Sequence, residues 1–487
     1  MKMRSSGRRE FVCAAIICAL CVQPGWGQSA EAPRTPVRSG ASAIAFRDSV
    51  DAPPAGWTGP RFKLSHNYPK KMPGCSAPWL KRKVSFDGTA INWDEWSGYV
   101  QDIIDYIREG QDQDLADQSG WKTDVGGQTR WFHVPWMAYD GQRGREFAHG
   151  LTNELSTARS TFHEGRGSGK SLIMGAVESS NHVDPLFETW SVGMYNPCGA
   201  WSLGQAFPEN GEPAVHKDGA QLRANGLPFQ EGTVVMKILN TTADASSVPY
   251  LKNDSTWQAN GHVQYSPDNY STCDRRPRAV HLIQIDIAVV DSRSPTRWVY
   301  STLAYNGFLP GKTVLDRVQP LGIQWGSDPH TFPAVAHDAS KPLTETVIAP
   351  RDAHQLPQHL GCQGRLAGVV DQANSSCVSC HMGAFAAAPP YLNIQSVTVP
   401  AIFNFGGICT DNNPANSAYF SDYRYPAAFP NVDPGQPNPF ASAIPLDSSL
   451  QLAVAFAQFA TYTSPRALPL ACTDVSTRRV QASAAKK

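Results

Sequence analysis

Residues 377–381 read Cys377-Val378-Ser379-Cys380-His381. Two thiols three positions apart share one turn of chain, and an imidazole comes directly after. That spacing lets both sulfurs reach the two vinyl groups of a single porphyrin, and it aims the histidine at the metal from one side. The motif therefore predicts one covalent haem c, anchored through Cys377 and Cys380, with His381 as the proximal iron ligand. A zinc site would want a second paired set of ligands, and the sequence has none. A thioredoxin-like pair would want a strand–helix–strand setting. The flanks Asn374-Ser375-Ser376 and Met382-Gly383-Ala384 do not give one. The motif occurs once, so a relay of several haems is excluded.

The residues after the motif constrain the opposite face of the iron. All thirteen histidines lie at or before His381, and the last methionine is Met382. Residues 383–487 thus supply neither of the usual second axial ligands. Three arrangements stay open. An upstream residue folds back onto the iron, with His354 and His359 nearest in sequence. A tyrosine serves, from Tyr391, Tyr419, Tyr423, Tyr425 or Tyr462. Or the distal face is open. Met382, next to the proximal histidine, cannot turn to the other side and is assigned to packing.

Residues 1–27 read as a secretory signal. Lys2, Arg4, Arg8 and Arg9 precede an apolar run, Phe11–Val22. That run is shorter than the roughly 20 residues a membrane span needs. Arg8-Arg9-Glu10-Phe11-Val12 fits either a twin-arginine signal or a chance arginine pair. Export to a bacterial periplasm or the exterior is expected, where covalent haem is attached. No other stretch is apolar enough to span, so the mature chain is expected to be soluble. The 42 basic residues balance 42 acidic ones, and loss of the signal leaves 38 against 41. No basic excess points to nucleic acid.

The other cysteines agree with an oxidising compartment. Outside the signal and the motif stand Cys75, Cys198, Cys273, Cys362, Cys409 and Cys472. They are enough for three disulfides, with the connectivity left open. Two of Cys362, Cys409 and Cys472 would staple the motif's segment.

A hydrophobic content of 41% allows a real core, while 39 Gly and 38 Pro with 17% charged residues favour turns and short strands. The expected class is α+β. Residues 28–60 form a disordered leader, 61–345 a large β-rich domain with an antiparallel sheet, 346–475 a mostly helical or irregular, cytochrome c-like haem-bearing segment, and 476–487 a disordered tail. Strands are predicted at Gly232–Leu239, Val280–Val290 and Arg297–Tyr305, all β-branched or aromatic and bounded by turn residues. Helices are predicted at Asp94–Arg108, Glu146–Leu155 and Leu450–Tyr462, the last capped by Asp447-Ser448-Ser449.

The late motif, Trp131-Phe132-His133-Val134-Pro135-Trp136 and Gly144–Thr152 together resemble a group of large exported single-haem c-type cytochromes of bacteria. Over residues 205–381, Gly232-Thr233-Val234-Val235-Met236-Lys237 and Trp298-Val299-Tyr300 ahead of the motif are also similar to the cytochrome P460 family. That similarity implies a lysine cross-linked to the haem, here Lys237, and a distal face open to hydroxylamine or nitric oxide.

Other patterns carry less. Gly165–Ser171 looks like a phosphate loop but has Glu164 at the position of its first glycine, so a surface loop is preferred. Glu146 and His149 lack the second pair that a di-iron bundle needs. Trp93, Trp96, Trp121, Trp131 and Trp136 are assigned chiefly to the core. No Gly-x-Ser-x-Gly elbow occurs, which disfavours hydrolysis. The expected function is electron transfer with a redox partner protein. The alternatives are a haem enzyme that oxidises a small molecule or reduces peroxide, and a haem-based binding or sensor protein. An extension of this size ahead of the motif exceeds what electron transfer alone requires.

Overall fold

The structure is a computed structural model. It describes residues 65–89, 92–111, 121–135, 139–140, 144–145, 151–158, 178–179, 182–183, 186–209, 212–219, 221–262, 275–328, 342–350, 356, 359–371, 375–387 and 443–463. The signal, leader and tail assigned from sequence lie outside them. So do the Gly165–Ser171 loop, Glu146, His149, Trp136, Cys273, Cys409 and Cys472.

The described residues are organised by one nine-stranded antiparallel sheet. Its strands are β1 (Phe132–His133), β2 (Thr152–Ala158), β3 (Leu186–Tyr195), β4 (Val234–Thr241), β5 (Thr256–His262), β6 (Arg275–Val290), β7 (Trp298–Tyr305), β8 (Val318–Gln324) and β9 (Thr346–Ile348). The spatial order is β9-β8-β7-β6-β4-β3-β1, with β5 on the first half of β6 and β2 on β3. Four helices bear on the site: α1 (Trp93–Arg108), α2 (Pro197–Ala206), α3 (Cys377–His381) and α4 (Leu450–Thr463). The result is a mixed fold with a large antiparallel sheet and few helices. Among the described residues, no helix is long and apolar enough to cross a membrane.

Residues directly opposite on neighbouring strands point to the same side of a sheet. One row runs Met236 (β4), Ile287 (β6), Ser301 (β7), Ile323 (β8) and Val347 (β9). Its apolar members join the larger core, against which α1 packs. Helix α1 forms because Trp96, Tyr99, Val100, Ile103, Ile104 and Ile107 repeat at helical spacing. Asn92 caps its first turn, accepting from Glu95 N at 2.9 Å. The Trp96 ring stacks on Trp325 at 4.3 Å, and Trp121 and Trp131 are buried nearby, as core tryptophans should be.

The other face carries the next row, Tyr195 (β3), Val235 (β4), Ala288 (β6), Tyr300 (β7) and Gln324 (β8). A second apolar cluster fills the space between it and α2, the segment 378–386 and α4. Helix α2 starts at Pro197, a residue suited to the first helical position. Asn196 caps it, accepting from Gly199 N at 3.1 Å, and Cys198 ties it by a disulfide to Cys75. Cys362 is disulfide-bonded as well.

The helix expected over Glu146–Leu155 is corrected over its second half, residues 146–150 lying outside the described residues. Gly144–Arg145 is a strand, and Thr152 begins β2, which pairs with β3. An open sheet edge competes for this stretch, and cross-strand pairing overrides a weak helical pattern. Helix α4 occurs where expected. Ser449 caps it, accepting from Leu452 N at 3.0 Å.

Candidate functional site

The motif folds into α3, a single short turn of helix. Ser376 caps it, and Ser376 and Ser379 bond reciprocally to each other's backbone N–H. Two of the open N–H groups at the helix start are thereby satisfied. Three bonds dock the turn on the sheet and the adjoining loop. Val378 N donates to Gln324 Oε1 at 3.2 Å, Gln324 Nε2 donates to Ser376 Oγ at 3.4 Å, and Cys377 N donates to Leu366 O at 3.1 Å. The Tyr195–Gln324 row thereby fixes where the motif stands.

Cys377 and Cys380 are both half-buried, and neither is in a disulfide. The Cys377 sulfur lies 3.9 Å from Thr302 Oγ1. Burial, then the Asp371 and Asp286 carboxylates, push its thiol well above the ordinary range.

The His381 Nδ1–H donates to the backbone carbonyl of Ser448 at 2.7 Å. That bond fixes the tautomer and leaves the Nε2 lone pair for a ligand. The Tyr300 ring packs on the imidazole with centroids 4.7 Å apart, and the Tyr300 hydroxyl bonds the Ser448 side chain. Burial lowers His381 to about 4; Lys237 adds to this, against the Ser448 bond and Asp371. The imidazole is therefore neutral at neutral pH, the form that binds iron.

The acceptor carbonyl is held by an unusual turn. Asp447 and Ser448 both take the left-handed conformation, with φ of 48° and 61°. Non-glycine residues hold it only where the surroundings over-determine it. Here Asp447 is buried and accepts from Phe229 N at 2.7 Å and Trp298 Nε1 at 3.2 Å. Burial raises its carboxyl above the usual range, against Arg297.

One step along the same sheet face runs the row Gly193 (β3), Lys237 (β4), Asp286 (β6), Thr302 (β7) and Gly322 (β8). Its two ends are glycines that let neighbours approach closely. A Cβ at Gly193 would stand 2.2 Å from Gln451 Nε2, and one at Gly322 would stand 2.5 Å from the Val347 carbonyl. The middle three are polar and turn toward the motif. Lys237 and Asp371 both act electrostatically on His381, and Asp286 acts on Cys377. Lys237, Asp286, Asp371, Cys377, Cys380 and His381 are half-buried, each keeping accessible surface within the protein. They gather where this row of the sheet faces α3.

The residues present fit a covalent haem. Two thiols stand on one turn, an oriented neutral imidazole presents Nε2, and Cys377, Cys380 and His381 each keep some accessible surface. Lys237 stands close enough to His381 to act on it electrostatically. His359 is buried, next to the Leu360–Leu366 bridge. His354, Tyr391, Tyr419, Tyr423 and Tyr425 lie outside the described residues, as does the Tyr462 side chain. The Met382 sulfur accepts from Ser327 Oγ at 3.2 Å, a packing contact. Asp286, Asp371, Thr302 and Gln324 were not singled out from sequence, and Ser448 only as a helix-capping residue. Asp286 alone left a signal, a carboxylate set between Ile285 and Ile287 in the apolar second half of its strand.

No protein-family model matches the chain, and no curated protein or solved structure matches it.

Proposed function

We propose that this chain is an exported, single-haem c-type cytochrome that transfers electrons with a partner protein. Cys377 and Cys380 anchor the haem, and His381 Nε2 ligates its iron. The observation that carries the reading is the His381–Ser448 bond. A histidine whose Nδ1–H is committed to a backbone carbonyl has one nitrogen left, and that nitrogen is aimed by the same bond. That neither motif cysteine is in a disulfide supports it too, because an oxidising compartment would otherwise favour a bridge between them. The Cys75–Cys198 bridge supports that compartment.

When bound, the haem supplies the one-electron couple. The chain's residues do the rest. Tyr300 and Ser448 hold the imidazole plane, and the apolar cluster around Val378, Ala384 and Phe456 limits water. Mass spectrometry of the exported protein tests the reading. One added haem mass on a peptide containing Cys377 and Cys380, lost in Cys377→Ala/Cys380→Ala, supports it. An unmodified peptide from cells competent in haem attachment overturns it.

One observation favours a second reading, a haem enzyme with an open distal face. Lys237 lies in the strand row that faces the motif and acts electrostatically on His381, which supports a lysine near the haem. Carbon monoxide binding to the ferrous protein, with a strongly red-shifted Soret band lost in Lys237→Met, would support that enzyme. A ferrous form indifferent to carbon monoxide supports electron transfer.

A further inference from the structure

We propose that Asp286 and Asp371 form a proton-binding site coupled to the redox centre, in which Asp286 takes up one proton when the centre gains one electron and releases it when the electron leaves. The proposal rests on the single-haem reading and adds to it the movement of a proton.

The geometry is that of a carboxyl pair held together by one amide. Gln284 is fully buried, and its Nε2 donates to Asp286 Oδ1 at 2.7 Å and to Asp371 Oδ2 at 3.2 Å. Its Oε1 accepts from Val370 N at 3.0 Å, which fixes the amide's orientation. Thr302 Oγ1 adds a second donor to Asp286 Oδ1 at 3.0 Å, and Gly368 N a second to Asp371 Oδ2 at 2.6 Å. Gly368 is needed for this approach, since a Cβ there would stand 2.0 Å from Gln284 Nε2. Every one of these donors goes to a single oxygen of its carboxyl. Among the described residues, Asp286 Oδ2 and Asp371 Oδ1 receive none, and both residues keep accessible surface through which a proton can enter.

Two like charges so arranged do not both ionise readily. Burial, then the Asp371 carboxylate, push Asp286 well above the ordinary carboxylate range, with Lys237, Gln284 and Thr302 pulling the other way. The charged and titratable groups facing Asp286 are Lys237 from β4, Asp371 from the loop ahead of α3, and Cys377 from α3. Both carboxyls already act on Cys377, and Asp371 acts on His381. Electrostatic coupling is reciprocal, so a change of charge at the motif shifts the affinity of the pair for a proton.

Atoms and electrons balance. With haem bound, a one-electron donor protein would supply the electron taken up by the iron; a solvent hydronium would lose one O–H bond and leave water as the new O–H bond forms on the Asp286 carboxylate, so one electron and one proton enter together. Oxidation reverses both.

The test is the midpoint potential of the purified holoprotein, measured from acid to alkaline pH. One proton per electron makes the potential fall by about 59 mV per pH unit inside the coupled window. Asp286→Asn is expected to lose that slope, matching the wild type at the acid end and lying above it at the alkaline end. Asp371→Asn is expected to move the window to lower pH, and Lys237→Met to higher pH. If Asp286→Asn does not fold, those two opposite shifts carry the test. A haem-loaded wild type with a flat potential, or variants that leave the slope in place, overturns the proton site alone. Purified protein without haem overturns the single-haem reading and this proposal with it.

Discussion

His381 and Ser448 are 67 residues apart in sequence and are joined by one 2.7 Å hydrogen bond from Nδ1 to a backbone carbonyl. Because the acceptor is backbone, its position depends on the turn that carries it, and Asp447 is the anchor of that turn. Asp447→Ala would strand the Phe229 N–H and the Trp298 indole N–H in the interior. Unpaired buried donors cost about 1–3 kcal/mol each, so a loss of about 2–6 kcal/mol is expected in urea unfolding, with Asp447→Asn losing less. A loss below about 1 kcal/mol for the alanine variant would show that the turn holds without its anchor.

Acid should act on the haem-free polypeptide through His381. Burial holds that imidazole at about 4 against an ordinary 6.5. Between those values the unfolded chain binds a proton that the folded chain refuses. Stability is therefore intact above about pH 6.5 and declines as the pH falls toward about 4, by on the order of 3 kcal/mol in total. His381→Gln should remove this part of the slope. Unfolding midpoints compared across that range, in wild type and variant, decide the matter; parallel curves would contradict it.

Particular residues explain what the sequence makes legible. The β6 and β7 strands are legible because Ile283, Ile285, Ile287, Val289, Val299 and Leu303 are β-branched or apolar and both sheet faces are covered. The start of β6 is not: Arg276 and Arg278 look like solvent residues, yet they pair with Gly261 and Ala259 of β5. Helix α2 is opaque because Gly199 and Gly204 argue against a helix. Both are there for packing, since a Cβ would stand 2.6 Å from the Tyr195 ring and 2.8 Å from the Tyr68 Cβ. At the site, Cys377, Cys380 and His381 are legible because their spacing is their chemistry. Asp371, Gln324 and Ser448 are ordinary loop and strand residues whose role arises only from what the fold sets beside them.

Cys377 should react slowly in the folded, haem-free chain. Its thiol is raised by burial first, then by the Asp371 and Asp286 carboxylates. The thiolate is the nucleophile, so in protein made without haem attachment Cys377 should alkylate at pH 8 at least about tenfold more slowly than in the urea-unfolded chain. Asp286→Asn should speed it. Peptide mass analysis after timed iodoacetamide treatment reads both rates, and a Cys377 as fast in the native as in the unfolded chain would refute the enclosed setting.

Gly193 and Gly322 end the same polar row, yet they should respond differently to one added methyl group. At Gly193 the Cβ meets the end of the Gln451 side chain, which can swing aside. Gly193→Ala is therefore expected to cost less than about 1 kcal/mol. At Gly322 the Cβ meets the Val347 backbone carbonyl at 2.5 Å, with Leu366 Cδ1 at 3.1 Å. The β9 strand pairs there through Gly322 and Ile348, so it has to move, and Leu366, whose carbonyl receives Cys377 N, has to move with it. Overpacking of this kind costs about 1–3 kcal/mol. Gly322→Ala should therefore lower the thermal midpoint clearly more than Gly193→Ala, and it should also lower the yield of haem-loaded protein, because the displaced loop is the one that positions Cys377. Equal midpoints for the two variants would mean that the β9 edge yields freely and does not brace the motif.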